Sequence, residues 1–156
     1  MVDDKRPGGQ EDVIEDKEEK FESLYTQVQN MSISEKVKLA SLGSKEARNL
    51  LIKEPNRLII QAVINSPKLT DDEAVSFAGN KNLTKEVPLL IANKKEFTKS
   101  YMVKVALVNN PKTPHPSAIK FLSHMRDKDL RNIAKSKNVP TVLSRTAGKM
   151  LVNKGK

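Results

Sequence analysis

The sequence lies over itself. Residues 57–78, RLIIQAVINSPKLTDDEAVSFA, align without a gap on residues 101–122, YMVKVALVNNPKTPHPSAIKFL, at an offset of 44. Ala62/Ala106, Asn65/Asn109, Pro67/Pro111, Lys68/Lys112, Ala74/Ala118 and Phe77/Phe121 are identical. Leu58/Met102, Ile59/Val103, Val63/Leu107, Ile64/Val108 and Val75/Ile119 stay apolar. A shorter beat runs inside this one. Ala78, Ala106 and Ala134 fall 28 apart, each four residues before an asparagine (Asn82, Asn110, Asn138), and Ala62 precedes Ser66 in the same way. Half of that beat is about one helix plus one turn. A single such unit cannot bury its apolar face alone, whereas stacked units can, which points to an array of repeats.

The local grammar predicts helices throughout. Phe21, Leu24, Tyr25, Val28 and Met31 follow the spacing of an amphipathic helix. Ser32 with Glu35, and Thr70 with Glu73, read as capping boxes that open helices. Gly43 reads as a stop, Ser44 as a cap, and Thr84 and Asp127 as starts of later helices. Prolines follow or open the remaining segments, with Pro88 in a first turn and Pro116 and Pro140 at helix starts. Within the repeat, alanine lets helices approach closely. Asparagine or serine near a helix end bonds freed carbonyls and tolerates a left-handed backbone. Period-two alternation is absent, so the fold class is all-α.

The stretch NNPKTPHP, residues 109–116, contains the PxxP pattern in Pro111-Lys112-Thr113-Pro114. It lies between two segments that are apolar at helical spacing. Its counterpart NSPKLTDD, residues 65–72, keeps Asn, Pro and Lys but opens the next helix with a threonine cap and acids. Both therefore read as helix–turn–helix punctuation rather than as an exposed proline-rich ligand.

Residues 91–122 resemble the bacterial leucine-rich repeat variant. In that family's pattern a helix with paired Val/Ala positions is followed by Asn-Pro, Thr-Pro and a Leu-rich segment. Val103, Val105 and Ala106 match the first part, Asn110-Pro111 the second, Thr113-Pro114 the third, and Ile119 and Leu122 the last. Asn138-Val139-Pro140 and Ser66-Pro67-Lys68-Leu69-Thr70 are shorter copies, and the resemblance covers about residues 47–147. More broadly the chain is similar to HEAT and armadillo arrays. The resemblance implies a right-handed superhelical array of short helix pairs that serves chiefly as a binding scaffold. The spacing is longer and less regular than the family's. One architecture of the family carries a Cys-ligated iron–sulfur cluster, and that cofactor does not transfer to a chain with no cysteine.

Composition narrows the chemistry. The chain holds 156 residues with 4% aromatics and no Trp, so its core must be aliphatic. Without cysteine, disulfides, thiolate metal sites and a Cys nucleophile are excluded. The N-terminus has no signal-type apolar region and no apolar run approaches a membrane span, so a cytoplasmic location is the expectation. His115 and His124 match no common zinc spacing, and Asp71, Asp72 and Glu73 read as first-turn acids favoured by the helix dipole. No glycine-rich phosphate loop or nucleophile motif occurs. The reading is non-enzymatic, with no catalytic, cofactor or metal residue.

Charge gives the one positive clue. Residues 1–20 hold eight acids and four bases, whereas residues 112–156 hold eleven bases and two acids. The reading is a disordered acidic tail over residues 1–19 and a single helical repeat domain over residues 20–156. Residues 21–43 serve as its N-terminal cap and residues 141–153 as its C-terminal cap. The candidate binding surface is Lys112, Lys120, Arg126, Lys128, Arg131, Lys135, Lys137 and Arg145, with Lys149 beside them. The expected partner is a protein held along one face. The alternative is a nucleic acid held by the basic C-terminal half, against which stand 22 Lys to six Arg and the scarcity of aromatics for stacking. The acidic tail is expected to act as a solubilising segment, with a fold-back over the basic face as the alternative.

Overall fold

The fold is that of a computed structural model, which describes residues 9–155. The described residues form eleven helices and no strand. In order they are α1 (Gly9–Gln29), α2 (Ile33–Leu42), α3 (Lys45–Leu51), α4 (Arg57–Ile64), α5 (Asp71–Gly79) and α6 (Glu86–Ala92). Then come α7 (Lys95–Thr98), α8 (Tyr101–Asn109), α9 (His115–Leu122), α10 (Asp127–Lys135) and α11 (Thr141–Lys154). The chain is all-α, as the sequence predicts.

Ser32, Ser44 and Thr70 cap helices as the sequence predicts, and Asn56 and Ser100 add two caps that it did not single out. The side chains of Ser32, Ser44, Asn56, Thr70 and Ser100 each accept a first-turn N–H, which partners a donor that the helix itself leaves free. The box at Thr70 is complete, because Glu73 accepts the Thr70 N–H in return. At Ser32 only the hydroxyl half forms. Two expected starts move. Arg126 occupies the cap position of α10 and Asp127 is already helical. Lys85 caps α6 without a side-chain bond, and Thr84 Oγ1 is buried without a partner. The segment expected as one helix from Thr84 ends at Ala92, and α7 is a separate turn after it.

The N-terminal expectation is corrected more strongly. Helix α1 begins at Gly9, so residues 9–19 are helical rather than a disordered tail; residues 1–8 lie outside the described part. Two physical causes act together. Glu, Gln and Lys are good helix formers, and Asp16 pairs with Lys20 at one helical turn, 3.0 Å apart. Farther along, Leu24, Val28 and Met31 anchor the helix on the core.

Glycine at position 43 is there for space. Its φ of −81° suits any residue. A Cβ at that position would lie 2.5 Å from Leu39 O and 2.8 Å from Leu39 Cδ1. Gly43→Ala should therefore lower stability by about 1–3 kcal/mol. In urea this appears as a lower midpoint with an unchanged slope. No non-glycine residue among those described has positive φ, so the helix-end asparagines act through their side chains and not through a left-handed backbone.

The core is aliphatic. Leu51, Ile52, Ile59, Ile60, Ile64, Ile91, Leu107, Leu122, Leu130, Ile133 and Leu143 are fully buried, joined by Phe77, Phe97 and Phe121. Phe21, expected as a core or loop anchor, is half exposed.

Packing runs along the chain. Helix α1 packs on α3; α2 on α3 and α4; α4 on α3 and α6; α5 on α6 and α8; α8 on α6, α7 and α9. Helix α11 packs on α9 and α10. The stacked pairs α2/α4, α4/α6, α5/α8 and α9/α11 start between 24 and 30 residues apart. The spatial step is therefore close to the 28-residue alanine beat. At Gly79 a Cβ would sit 3.7 Å from the Ala106 Cβ, which shows how closely α5 and α8 approach there. The offset of 44 instead lays α4 on α8, which both pack on α6 but otherwise meet different helices. Alternate helices resemble one another because every helix end needs the same stop-and-turn chemistry.

Candidate binding surface

Several polar residues at helix ends and turns bond back to carbonyls of earlier segments. After α4, Ser66 Oγ donates to Ser41 O at 3.1 Å and Lys68 Nζ to Leu42 O at 3.0 Å. After α6, Lys94 Nζ donates to Ile64 O at 3.2 Å. After α8, Asn110 Nδ2 donates to Ala78 O at 2.8 Å and Lys112 Nζ to Leu83 O at 2.7 Å. Each donor reaches back 25 to 32 residues; Ser41, Leu42, Ile64 and Ala78 supply carbonyls in the last turn of an earlier helix, whereas Leu83 lies in the α5–α6 turn. The helix-end carbonyls lack an intrahelical partner and carry the negative end of the helix dipole, so an ammonium group is the matched donor there. Lys68 and Lys112 thus each tie the turn after their helix to an earlier segment of the chain.

The short beat needs one adjustment. Ser66, Asn80, Asn110 and Ser136 each accept the N–H two residues on. Asn82 and Asn138 supply that N–H and do not occupy the turn-closing position.

The eight candidate bases are all exposed and are spread over the α8–α9 turn, α9, the residue before α10, α10, the α10–α11 turn and α11. Lys112 is tied to Leu83 O. The Arg126 guanidinium lies 4.4 Å from the centre of the Tyr101 ring, and its backbone N–H donates to Tyr101 OH at 3.0 Å. Lys120 lies on α9 and Lys137 in the α10–α11 turn. Lys128, Arg131 and Lys135 share one stripe of α10 at i, i+3 and i+7, opposite buried Leu130 and Ile133. Arg145 lies with Lys149 on an outer stripe of α11, between exposed Val142 and Val152.

The two acids of this segment are both engaged. Asp127 pairs with Lys154 at 3.0 Å, and Asp129 accepts the Tyr101 hydroxyl. Burial together with the Asp129 carboxylate raises the Tyr101 pKa above its ordinary value. The phenol therefore keeps its proton and holds α8 to α10. Among the described residues none of the three bases on the α10 stripe forms an ion pair.

The acidic cluster of α5 divides. Asp71 and Asp72 are exposed first-turn acids, while Glu73 is buried. Arg48 of α3 grips Glu73 with Nε to Oε1 at 2.8 Å and Nη2 to Oε2 at 3.1 Å, and its Nη1 donates to Gly43 O at 2.9 Å. Burial pushes the carboxyl pKa up, but the bonds from Arg48 and Thr70 and the Arg48 charge outweigh it and hold the pKa below the ordinary range. Sequence reading missed this pair because the partners are 25 residues apart and Arg48 looks like any helix-surface arginine. His115 opens α9 and His124 lies just past its end, and both are exposed. No group of three or more His, Cys, Asp or Glu able to hold a metal occurs among the described residues, and none of their helices is long and apolar enough to cross a membrane.

Comparison with protein-family models, curated proteins and solved structures finds no match.

Proposed function

We propose that the chain is an α-solenoid of helix pairs, of the HEAT and leucine-rich-repeat-variant kind, that acts as a non-enzymatic scaffold in the cytoplasm. Its partner is an acidic protein segment held by the outer stripe of α10. The carrying observation is that Lys128, Arg131 and Lys135 lie on one exposed stripe while both nearby acids are already bonded elsewhere. The serial packing of helices supports the solenoid, since each element meets neighbours one to three positions away. The ties made by Lys68, Lys94 and Lys112 support a division of labour, in which repeat lysines hold units and terminal bases meet the partner.

The same stripe has the charge to hold phosphates, which keeps nucleic acid as the competing occupant. Stacking chemistry argues against it, because Tyr101 is covered by Arg126 and Tyr25 lies on α1. The test titrates poly-glutamate and a single-stranded oligonucleotide of equal charge. Lys128→Glu/Arg131→Glu/Lys135→Glu should weaken poly-glutamate binding at least about tenfold. An unchanged affinity in the triple variant removes the stripe from the account. Tighter oligonucleotide binding that survives about 200 mM salt replaces the protein reading with the nucleic-acid one.

A further inference from the structure

The two ends of the packing order carry complementary stripes. On α1, Ile14, Glu18, Phe21, Glu22 and Tyr25 lie along one exposed strip at helical spacing. A groove of about 300 Å³ follows it, lined by Ile14, Lys17, Glu18, Phe21 and Glu22. On α11 the strip reads Val142, Arg145, Lys149 and Val152. The three apolar residues of the first strip and the two of the second are between 43% and 61% exposed.

The strips match in order and in length. Read backwards, Tyr25, Glu22, Glu18 and Ile14 are separated by 3, 4 and 4 residues. Read forwards, Val142, Arg145, Lys149 and Val152 are separated by 3, 4 and 3. At 1.5 Å per residue they span about 16 Å and about 15 Å. Laid antiparallel, Tyr25 meets Val142, Glu22 meets Arg145, Glu18 meets Lys149 and Ile14 meets Val152. Each charge pair then sits between apolar contacts. Two α1 strips laid on each other would instead bring glutamates together. Within one chain α1 packs on α3, and α11 on α9 and α10. The two strips therefore belong to opposite ends of the packing order.

We propose that α1 of one copy docks antiparallel along α11 of a second copy, so that the protein associates head to tail. This replaces the fold-back of the acidic segment with a contact between molecules. It uses α11 and leaves the α10 stripe of the partner reading free. A contact of this size is weak, and because it joins unlike surfaces it builds open chains.

Sedimentation velocity on the full chain tests it. At about 50 mM salt and about 200 µM protein, the weight-average mass should rise above the 17.4 kDa monomer, and about 500 mM salt should reverse the rise. Glu18→Lys/Glu22→Lys alone and Arg145→Glu/Lys149→Glu alone should each stay monomeric with unchanged helical circular dichroism. Mixed one to one, the two variants should regain the association, because each basic strip then faces an acidic one. A monomeric wild type, association that survives either double variant, or a mixture that stays monomeric would each overturn the proposal. Binding of poly-glutamate to the α10 stripe is read separately and does not depend on this outcome.

Discussion

Arg48→Met is expected to cost about 3–5 kcal/mol of unfolding free energy, because it leaves the Glu73 carboxylate buried without its partner. Glu73→Gln should cost a similar amount by stranding the guanidinium. Urea unfolding at neutral pH reads both. The double variant Arg48→Met/Glu73→Leu should recover most of the loss, since apolar groups of similar volume need no partner. Acid titration gives an independent signature. The Glu73 pKa is lowered from 4.5 in the folded state, so its stabilisation is full above the unfolded value and is lost as pH falls through the lower folded value. In Arg48→Met only the two Thr70 bonds still oppose burial, so that pKa rises relative to the wild type. Stability of the variant should then fall less over the interval in which the wild type weakens.

Asn110→Ala should cost about 2–3 kcal/mol, because it leaves the Ala78 carbonyl and the Lys112 N–H without their partner at a buried site. Asn110 is 1% exposed and makes both bonds, at 2.8 and 3.0 Å. Asn110→Ser should lose less, since Ser66 performs the corresponding task after α4. Asn138→Ala should stay within about 0.5 kcal/mol, as expected for an exposed side chain outside the ties between units. Equal losses at 110 and 138 would mean that the alanine–asparagine beat, and not the reach to the earlier helix, defines the structural position.

Much of the helix grammar was legible because capping is local. Ser44, Thr70 and Pro140 announce helix starts within a few residues, and the structure places helices after each. The alanine beat foretold the stacking step for the same reason: Ala106 is small where α5 meets α8. The 44-residue identity was harder to interpret. It reflects shared turn chemistry at helix ends more than shared neighbours. The buried Arg48–Glu73 pair and the Tyr101–Asp129 bond were invisible because each depends on side chains 25 or 28 residues apart meeting across helices. Lys112 was visible as an exposed base, but its bond to Leu83 O was not, because the two residues are 29 apart. Lys68 makes a similar bond after α4, whereas Asn82 and Asn138 stand at the matching turn positions after α5 and α10. Helix α1 was underestimated because a segment poor in apolar residues can still extend a helix whose other end is anchored by Val28.

The account rests on a division of the lysines into those that tie units together and those left for binding. Proton exchange of individual lysine ammonium groups, resolved by nitrogen-15 NMR on the full chain, tests that division directly. Lys68, Lys94 and Lys112 should exchange with water markedly more slowly than Lys128, Lys135 and Lys149. Uniformly fast exchange across all six would contradict the ties, and with them the reason for assigning the partner surface to α10.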